Sequence, residues 1–338
     1  MAGERGGGEG RTAYFVVPCY NEEEALPRAA EVMAGKLKAL ISAGKASPDS
    51  RVMFVNDGSH DGTWAKIVSL CEGDTIFAGV SLSRNRGHQA ALYAGLMAAR
   101  GSADMAVSLD ADLQDDIDAV DSMVDSFADG CDIVYGVRSR RERDTFLKRF
   151  TAESYYKLLR MLGCEIVFNH ADYRLMSARA LDALSRYGEY DLFLRGLAPM
   201  LGFKTSTVEY ARADRVEGES KYTLRKMLKL AADGALSLSL APIRIVLCAG
   251  AAMLALAAIL FILWLAKPEL VRAADGWMAL AASVWGAGGL ITLAVGVAGE
   301  YAGRAYLESK RRPRYVISDV AGNIAPGAFD GRGLGGSP

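Results

Sequence analysis

Four short apolar runs in the first third of the chain alternate with longer segments of helical character, and this alternation most limits the possible folds. The runs lie at 12–17, 51–55, 80–83 and 105–109. Each has the length of a strand, and each is followed by a segment long enough for a helix. Strands and helices in alternation predict an α/β fold, built on a doubly wound and mostly parallel sheet.

Polar residues follow each of these predicted strands. The first run breaks at Pro18, and Asn21 is placed to cap a helix that begins near Glu22. Parallel strands end at the same edge of a sheet, where open α/β sheets bind ligands. The side chains expected to meet there are Tyr20, Glu22, Asp57, Arg84, Asp110 and Asp112. Neither a GxGxxG motif after the first strand nor a GxxxxGK[ST] motif is present, which disfavours dinucleotide and P-loop sites.

An acidic stretch ends the fourth predicted strand. On extended backbone, Asp110 and Asp112 leave the same face, and Gln114 continues it with a carbonyl oxygen. Such an oxygen-only set suits Mg²⁺ or Mn²⁺. A divalent ion held in this way can bridge a diphosphate and offset the charge that develops on it. The alternative interpretation is a solvated acidic loop without a metal.

Composition narrows the class of protein. The formal net charge is −1 with 23% charged residues, so no basic field favours a nucleic-acid partner. The five cysteines are scattered without a CxxC pair, which excludes a zinc knuckle. Residues 1–11 are Gly-rich, lack the apolar segment of a signal peptide and are expected to be disordered, as is the tail after Ile317. The first domain is therefore expected in the cytosol.

Two long, nearly uncharged runs occupy the C-terminal third, at about 243–266 and 277–299. Crossing a bilayer takes about 20 helical residues, so both runs predict membrane spans. Lys and Arg collect before the first run and after the second. By the positive-inside rule, the pair is a hairpin with both ends in the cytosol. The mixed apolar and cationic stretch before it, 220–242, predicts a helix on the membrane surface. A linker helix packed on the first domain is the alternative.

Several motifs together carry a family resemblance. They are VVPCYNEEEAL, VNDGSHDGTW, SLSRNRGHQAAL, SLDADLQDD, YGVRSRRERDTFLKR, NHADYRLMSARAL, LFLRG, GESKYTLRKML and GRAYLESKRRPRY. In this order they resemble family 2 glycosyltransferases of the GT-A fold, in particular polyprenyl-phosphate glycosyltransferases of the dolichol-phosphate-mannose-synthase type. The resemblance spans 12–317. Prolines usual after the acidic motif are replaced by Asp116-Ile117-Asp118, and the QxxRW motif of processive synthases is absent.

The resemblance implies a domain organisation. A disordered segment (1–11) precedes the GT-A catalytic domain (12–219). An interfacial segment (220–242), a transmembrane hairpin (243–300) and a cytosolic segment with a disordered tail (301–338) follow. The implied location is a bacterial plasma membrane with the catalytic domain on the cytosolic face, and the family often self-associates through its membrane segments.

The resemblance also implies roles for residues of the donor site. Pro18, Tyr20, Glu22 and Asp57 would hold the uracil and ribose of a nucleotide sugar. Asp110 would border the nucleotide and the metal, and Asp112 and Gln114 would ligate the ion. Lys221 would reach a diphosphate oxygen. For Asp57, a turn or a helix cap is the alternative, because NDGS is common turn chemistry.

The acceptor side is expected on an arginine-rich segment. Arg138 and Arg149 present guanidinium groups that match phosphate oxygens in pairs, so a lipid phosphate is expected there. For Arg140, Arg141 and Arg143 a solvated loop is the alternative. Asp172 and Arg174 would line the sugar or phosphate, or would form a plain structural ion pair.

Together with these residues, the resemblance implies transfer of one sugar from a nucleotide sugar, expected to be a UDP-sugar, to polyprenyl phosphate with inversion. A phosphate monoester is mostly dianionic at pH 7, so the nucleophile needs no general base. Two other functions stay open: a glycosyltransferase acting on a lipid or glycan hydroxyl, and a membrane protein that binds nucleotide sugars without turnover.

Overall fold

The structure is a computed structural model, and it describes residues 10–138, 170–188, 194–210 and 276–324. These residues fall into two compact units. The first unit holds 10–138, 170–188, 194–210 and 313–324, and the second holds 276–312.

Eight strands and six helices make up the described part of the first unit. The strands are β1 (Ala13–Cys19), β2 (Arg51–Asn56), β3 (Phe77–Leu82), β4 (Met105–Ser108), β5 (Ile133–Arg138), β6 (His170–Ser177), β7 (Thr205–Tyr210) and β8 (Ile317–Gly322). The helices are α1 (Leu26–Ser42), α2 (Thr63–Gly73), α3 (His88–Ala99), α4 (Ala119–Ala128), α5 (Ala178–Leu184) and α6 (Leu194–Met200). Within the described part of the second unit there is one helix, α7 (Gly276–Ser309).

All eight strands form one sheet in the order β7-β5-β6-β4-β1-β2-β3-β8. The four predicted strands are β1 to β4, which are neighbours and pair in parallel. Strand β6 runs antiparallel between β4 and β5, while β7 returns parallel to β5. The predicted α/β fold with a mostly parallel sheet is therefore confirmed.

Helices cover both faces of this sheet. Side chains alternate along β1, so that Phe15 and Val17 pack with α1, α2 and α4, whereas Tyr14 and Val16 pack with α3, α5 and α6. Helix α3 lies close to the sheet at Gly95, where an added Cβ would stand 2.4 Å from Val16 Cγ1. Burial on both faces explains why β1 to β4 are continuous apolar runs rather than alternating ones.

The expectation of disorder after Ile317 is wrong for the residues that the structure describes there. Residues of β8 pair antiparallel with β3 and close one edge of the sheet. Ile317 and Ala321 are 5% and 9% exposed, and the residues between them face outward. This edge strand obtains its hydrogen bonds from a distant partner, which the local composition of the tail does not reveal.

Within the described residues, no helix combines the length and the apolar character needed to cross a membrane. Of the two predicted spans, 243–266 lies outside the described residues, and 277–299 lies in α7. The structure therefore gives no support to the predicted transmembrane hairpin. The predicted interfacial segment 220–242 also lies outside the described residues.

Candidate active site

Two loops at the carboxyl ends of β1 and β2 are tied together by hydrogen bonds. The backbone N–H of Asn21 donates to Ser59 Oγ at 3.0 Å, and the N–H of His60 donates to Asn21 Oδ1 at 3.0 Å. Asn21 adopts a positive φ of 54°, which Asn tolerates better than most residues. The prediction that Asn21 caps the first helix is wrong, because α1 begins only at Leu26 and Asn21 bonds to the neighbouring loop instead.

The three donor-site residues predicted on the first loop differ in exposure. Pro18 is buried within β1, where it pairs with Val55. The Tyr20 side chain is 42% exposed and contacts the His60 ring edge-on at a centroid distance of 6.5 Å. Glu22 is half-buried, and its backbone N–H donates to Thr63 Oγ1 at 3.0 Å. An exposed ring at a strand end has the geometry to stack on a base, and this role stays a prediction.

Asp57 joins the ends of β2 and β3. It is 3% exposed, and its two carboxylate oxygens accept the backbone N–H groups of Arg86 and Gly87 at 2.7 and 2.9 Å. Next to it, Gly58 has φ +63°, and a Cβ there would lie 2.4 Å from the Arg84 carbonyl carbon. Asp57 is therefore neither an Asx-turn nor a helix cap. Burial raises its pKa, and the two backbone donors partly offset that rise.

The acidic stretch after β4 does not continue as a strand. Strand β4 ends at Ser108, the backbone turns at Ala111 and Asp112, and Leu113 has a φ of 51°. Asp110 is half-buried, whereas Asp112 is exposed. The premise that both carboxylates leave one face of extended backbone is therefore wrong.

The acids at this edge nonetheless lie close enough for their charges to act on one another. Burial raises the pKa of Asp110; His88 opposes that rise, and the charges of Asp115, Asp172 and Asp112 add to it. A bound cation would relieve this concentration of negative charge.

The residues after β4 fit a divalent ion whose remaining ligands come from the substrate. Gln114 is 7% exposed, and its buried Nε2 has no hydrogen-bond partner among the described residues, so this N–H2 group can donate to a ligand such as a phosphate oxygen while the carbonyl oxygen faces a cation. In the described part of the chain, no three His, Cys, Asp or Glu side chains form a metal-holding group. The protein thus offers two carboxylates, Asp110 and Asp112, and one amide. Mg²⁺ is commonly bound by one or two carboxylates together with substrate phosphates.

Asp172, on β6, is the centre of a polar network beside these acids. Its carboxylate accepts from Arg174 Nη2 at 2.8 Å, Arg195 Nη2 at 3.0 Å and Gln89 Nε2 at 3.0 Å. Burial alone would raise the pKa of Asp172, but the bond to His88 and the two arginine charges bring it well below its usual range. Asp172 is therefore ionised at neutral pH.

The Asp172–Arg174 ion pair named as an alternative is present. Arg174 is 1% exposed, and its Nη1 donates to the Leu194 carbonyl oxygen at 2.8 Å. A guanidinium so enclosed fixes β6 to the start of α6. A role for this pair in acceptor binding stays a prediction.

His88 lies between the acidic loop and this network. Its Nε2 is 3.4 Å from Asp172 Oδ2 and 3.9 Å from Asp110 Oδ1, at the first residue of α3. Burial would lower the pKa of His88, but the hydrogen bond to Asp172 and the charge of Asp110 raise it above its ordinary value. When it is protonated, the imidazole partly offsets both carboxylates.

Arg138 ends β5 and is held by a second network. Its Nε donates to the Tyr210 hydroxyl oxygen at 3.2 Å, and its Nη2 lies 3.6 Å from Asp115 Oδ1. The charge of Asp110 also acts on Arg138, so the predicted metal loop and the predicted acceptor residue lie within electrostatic reach of each other.

Some predicted residues cannot be placed. Arg149 and Lys221 lie outside the described residues, as do Arg140, Arg141 and Arg143. Conversely, sequence reasoning gave no role to five polar residues that the structure places at the site. They are His88, Gln89, Asp115, Arg195 and Tyr210. Four of them, all except Tyr210, stand in the motifs quoted above, but only their contacts across the sheet reveal the networks.

Comparison with known proteins gives consistent results. Residues 14–185 match the glycosyl transferase family 2. Uncharacterized glycosyltransferase YkoT of Bacillus subtilis (strain 168) is 43% identical over 303 residues, covering 90% of each chain. Prophage bactoprenol glucosyl transferase homolog of Escherichia coli (strain K12) is 36% identical, covering 90% of this chain and 98% of that one. Bactoprenol glucosyl transferase of Shigella phage SfV is also 36% identical, covering 90% and 97%.

Among solved structures, the mannosyltransferase PcManGT from Pyrobaculum calidifontis aligns over 87% of each chain. Its sequence is 17% identical and the TM-score is 0.44. So distant a likeness has no bearing on the site.

Proposed function

This chain belongs to glycosyl transferase family 2, and we propose that it transfers a single sugar from a nucleotide sugar to polyprenyl phosphate. One observation supports the acceptor most. Relatives named bactoprenol glucosyl transferase are 36% identical to this chain over 96–97% of their own length, so the similarity extends well beyond the family's shared domain.

The donor side of the proposal is supported by the loops after β1 and β2. The exposed ring of Tyr20 offers a face on which a base can stack. Glu22 and the buried Asp57 are acceptors for imide and hydroxyl protons. A uridine diphosphate sugar is the donor that we propose, with Pro18 shaping the loop and Lys221 contacting the diphosphate.

Asp110, Asp112 and Gln114 would hold a Mg²⁺ or Mn²⁺ ion. When bound, such an ion offsets the negative charge that develops on the leaving diphosphate. The protein's own contribution is the concentration of carboxylates at the end of β4. Asp112 is exposed and Asp110 half-buried, so both can face a ligand at the surface of the loop.

The proposal for the acceptor is supported by the arginine residues that can bind a phosphate and by the charge of a phosphate monoester at neutral pH. Arg138, together with Arg149, would bind the phosphate oxygens of the lipid and aim one of them at the anomeric carbon. The new bond forms between that oxygen and the carbon while the bond to the nucleoside diphosphate breaks, so configuration inverts. A phosphate monoester has a second pKa near 6 and needs no protein base at neutral pH. Orientation and electrostatic stabilisation are then the main sources of rate.

We further propose that the reaction takes place at the cytosolic face of a bacterial plasma membrane. The acceptor is a lipid, and the sequence alone predicts membrane spans at 243–266 and 277–299, although the second lies in α7, which the structure does not support as a span. Self-association through these runs is part of the same proposal.

The test is a transfer assay with purified full-length protein, a panel of radiolabelled nucleotide sugars, Mg²⁺ or Mn²⁺, and polyprenyl phosphate. The expected product is a labelled lipid that mild acid cleaves, and Asp112→Asn is expected to abolish it nearly completely. Asp116→Asn is the matched control, because Asp116 is an exposed carboxylate of the same segment. An acid-stable glycolipid would indicate a hydroxyl acceptor, and the absence of labelled lipid with every donor would refute transfer to the lipid.

A further inference from the structure

We propose that Tyr210 and Asp115 are positioning residues, which orient the Arg138 guanidinium for the acceptor phosphate and link it to the acidic loop. This inference rests on the proposed function, because it assigns a purpose to the acceptor arginine. Neither residue belongs to the sets predicted from the sequence.

The contacts form a closed triangle. The Tyr210 hydroxyl donates to Asp115 Oδ1 at 2.8 Å and accepts from Arg138 Nε at 3.2 Å. The third side is the 3.6 Å approach of Arg138 Nη2 to the same Asp115 oxygen. A guanidinium is planar, so fixing Nε and one Nη relative to two partners fixes the plane in which the whole group lies.

The backbone supports this arrangement. Strands β5 and β7 pair in parallel, and Arg138 and Tyr210 are partners in the register at the last residue of each strand. Asp115 immediately follows Gln114 in the acidic loop. The triangle therefore joins three segments distant in sequence: the loop after β4, the end of β5 and the end of β7.

Burial makes the positioning partners stiff. Asp115 is 9% exposed and Tyr210 is 3% exposed, whereas the Arg138 side chain is 31% exposed. Two buried side chains thus hold Arg138, while the arginine side chain itself is partly exposed at the surface. Burial and then the charge of Asp115 raise the pKa of Tyr210, so its hydroxyl keeps its proton and can donate to the carboxylate at neutral pH.

Aromatic packing holds Tyr210 in turn. The Tyr173 ring meets it edge-to-face at a centroid distance of 5.1 Å, and the Tyr173 hydroxyl donates to the Asp116 carbonyl oxygen at 2.9 Å. Gly136 leaves room for this ring, because a Cβ there would lie 2.8 Å from Tyr173 Cδ1. Tyr173 shares the packing of Tyr210 but bonds to a different group, which makes it a matched control.

The experiment measures steady-state transfer by full-length protein while polyprenyl phosphate and the nucleotide sugar are varied separately. Tyr210→Phe removes the hydroxyl and keeps the ring. We expect the KM for polyprenyl phosphate to rise about tenfold, the scale of losing one hydrogen bond to a charged group. The KM for the nucleotide sugar should change less than about twofold. Asp115→Asn should shift the first KM in the same direction.

Two comparisons separate positioning from general damage. Tyr173→Phe deletes a hydroxyl beside Tyr210 and should leave the acceptor KM within about twofold of the wild type. In an Arg138→Ala background, Tyr210→Phe should add no further rise, because residues acting through one group are not additive. An unchanged acceptor KM in Tyr210→Phe, or an equal added rise without Arg138, would overturn the inference. If the wild-type protein labels no lipid, the proposed function itself has failed.

Discussion

Replacing Asp172 by Asn is predicted to destabilise the first unit strongly. Asp172 is the counter-ion of Arg174, which is 1% exposed and bonds to it at 2.8 Å. The substitution keeps the size of the side chain and removes its charge. Arg174 then remains as a buried cation without a counter-ion, and the positive charge of the neighbouring Arg195 repels it.

The expected magnitude follows from this burial. Breaking a buried ion pair by removing one charge costs about 3–5 kcal/mol, because the remaining charge loses its compensation without returning to water. Arg195→Gln is the control. The Arg195 side chain is 36% exposed, and its loss leaves the Asp172–Arg174 pair intact, so we expect a cost of about 1 kcal/mol or less.

The measurement is urea unfolding of the full-length protein, with the folded fraction read by a short pulse of protease. The reasoning predicts a much lower midpoint for Asp172→Asn than for Arg195→Gln. If Asp172→Asn unfolds within about 0.5 kcal/mol of the wild type, the ion pair does not compensate a buried charge and the reasoning is wrong.

Three further predictions address packing, pH and chemistry. Gly95→Ala should lower the free energy of unfolding by about 1–3 kcal/mol, because its Cβ would stand 2.4 Å from Val16 Cγ1. Gly35→Ala is the control: no atom lies within 4 Å of its Cβ, so the substitution should be neutral or stabilising. Burial would raise the pKa of Asp132, but the hydrogen bond from Arg179 lowers it below its ordinary value. The free energy of unfolding lost in Asp132→Asn should therefore be constant above about pH 4 and should shrink as the pH falls further. Unfolding curves between pH 3 and 7 check the sign. Transfer should slow below about pH 6 as the lipid phosphate gains its second proton, and no carboxylate substitution should shift that limb of the pH–rate profile.

The parallel centre of the sheet could be predicted because its strands are buried on both faces. Continuous apolar runs such as 105–109 mark such strands in the sequence alone. Strands β5 to β8 were not predicted. In β7 exposed and half-buried residues alternate up to Tyr210, and β8 holds only Ile317 and Ala321 inward. Strands of this kind are defined by a partner far away in the chain, and a local pattern does not identify that partner.

The candidate site shows the same division. Residues that follow strand ends, such as Asp57 and Asp110, could be placed at one edge from topology. Their detailed geometry could not, because it depends on the turn at Leu113 and on backbone donors from another loop. Tyr210 bonds to residues 72 and 95 positions away in the sequence, and Asp172 bonds to Gln89, 83 positions away. No spacing in the chain encodes such contacts.

Mass spectrometry of the lipid product tests the central claim most directly. The full-length protein is incubated with polyprenyl phosphate, a divalent ion and the nucleotide sugar that labels lipid. The mass and fragments of the extracted lipid are measured, and NMR of the anomeric position gives its configuration. The account predicts polyprenyl phosphate that has gained one sugar residue and still carries one phosphorus atom, with the anomeric configuration opposite to that of the donor. A product with two phosphorus atoms, or a sugar of retained configuration, would contradict direct attack by the lipid phosphate.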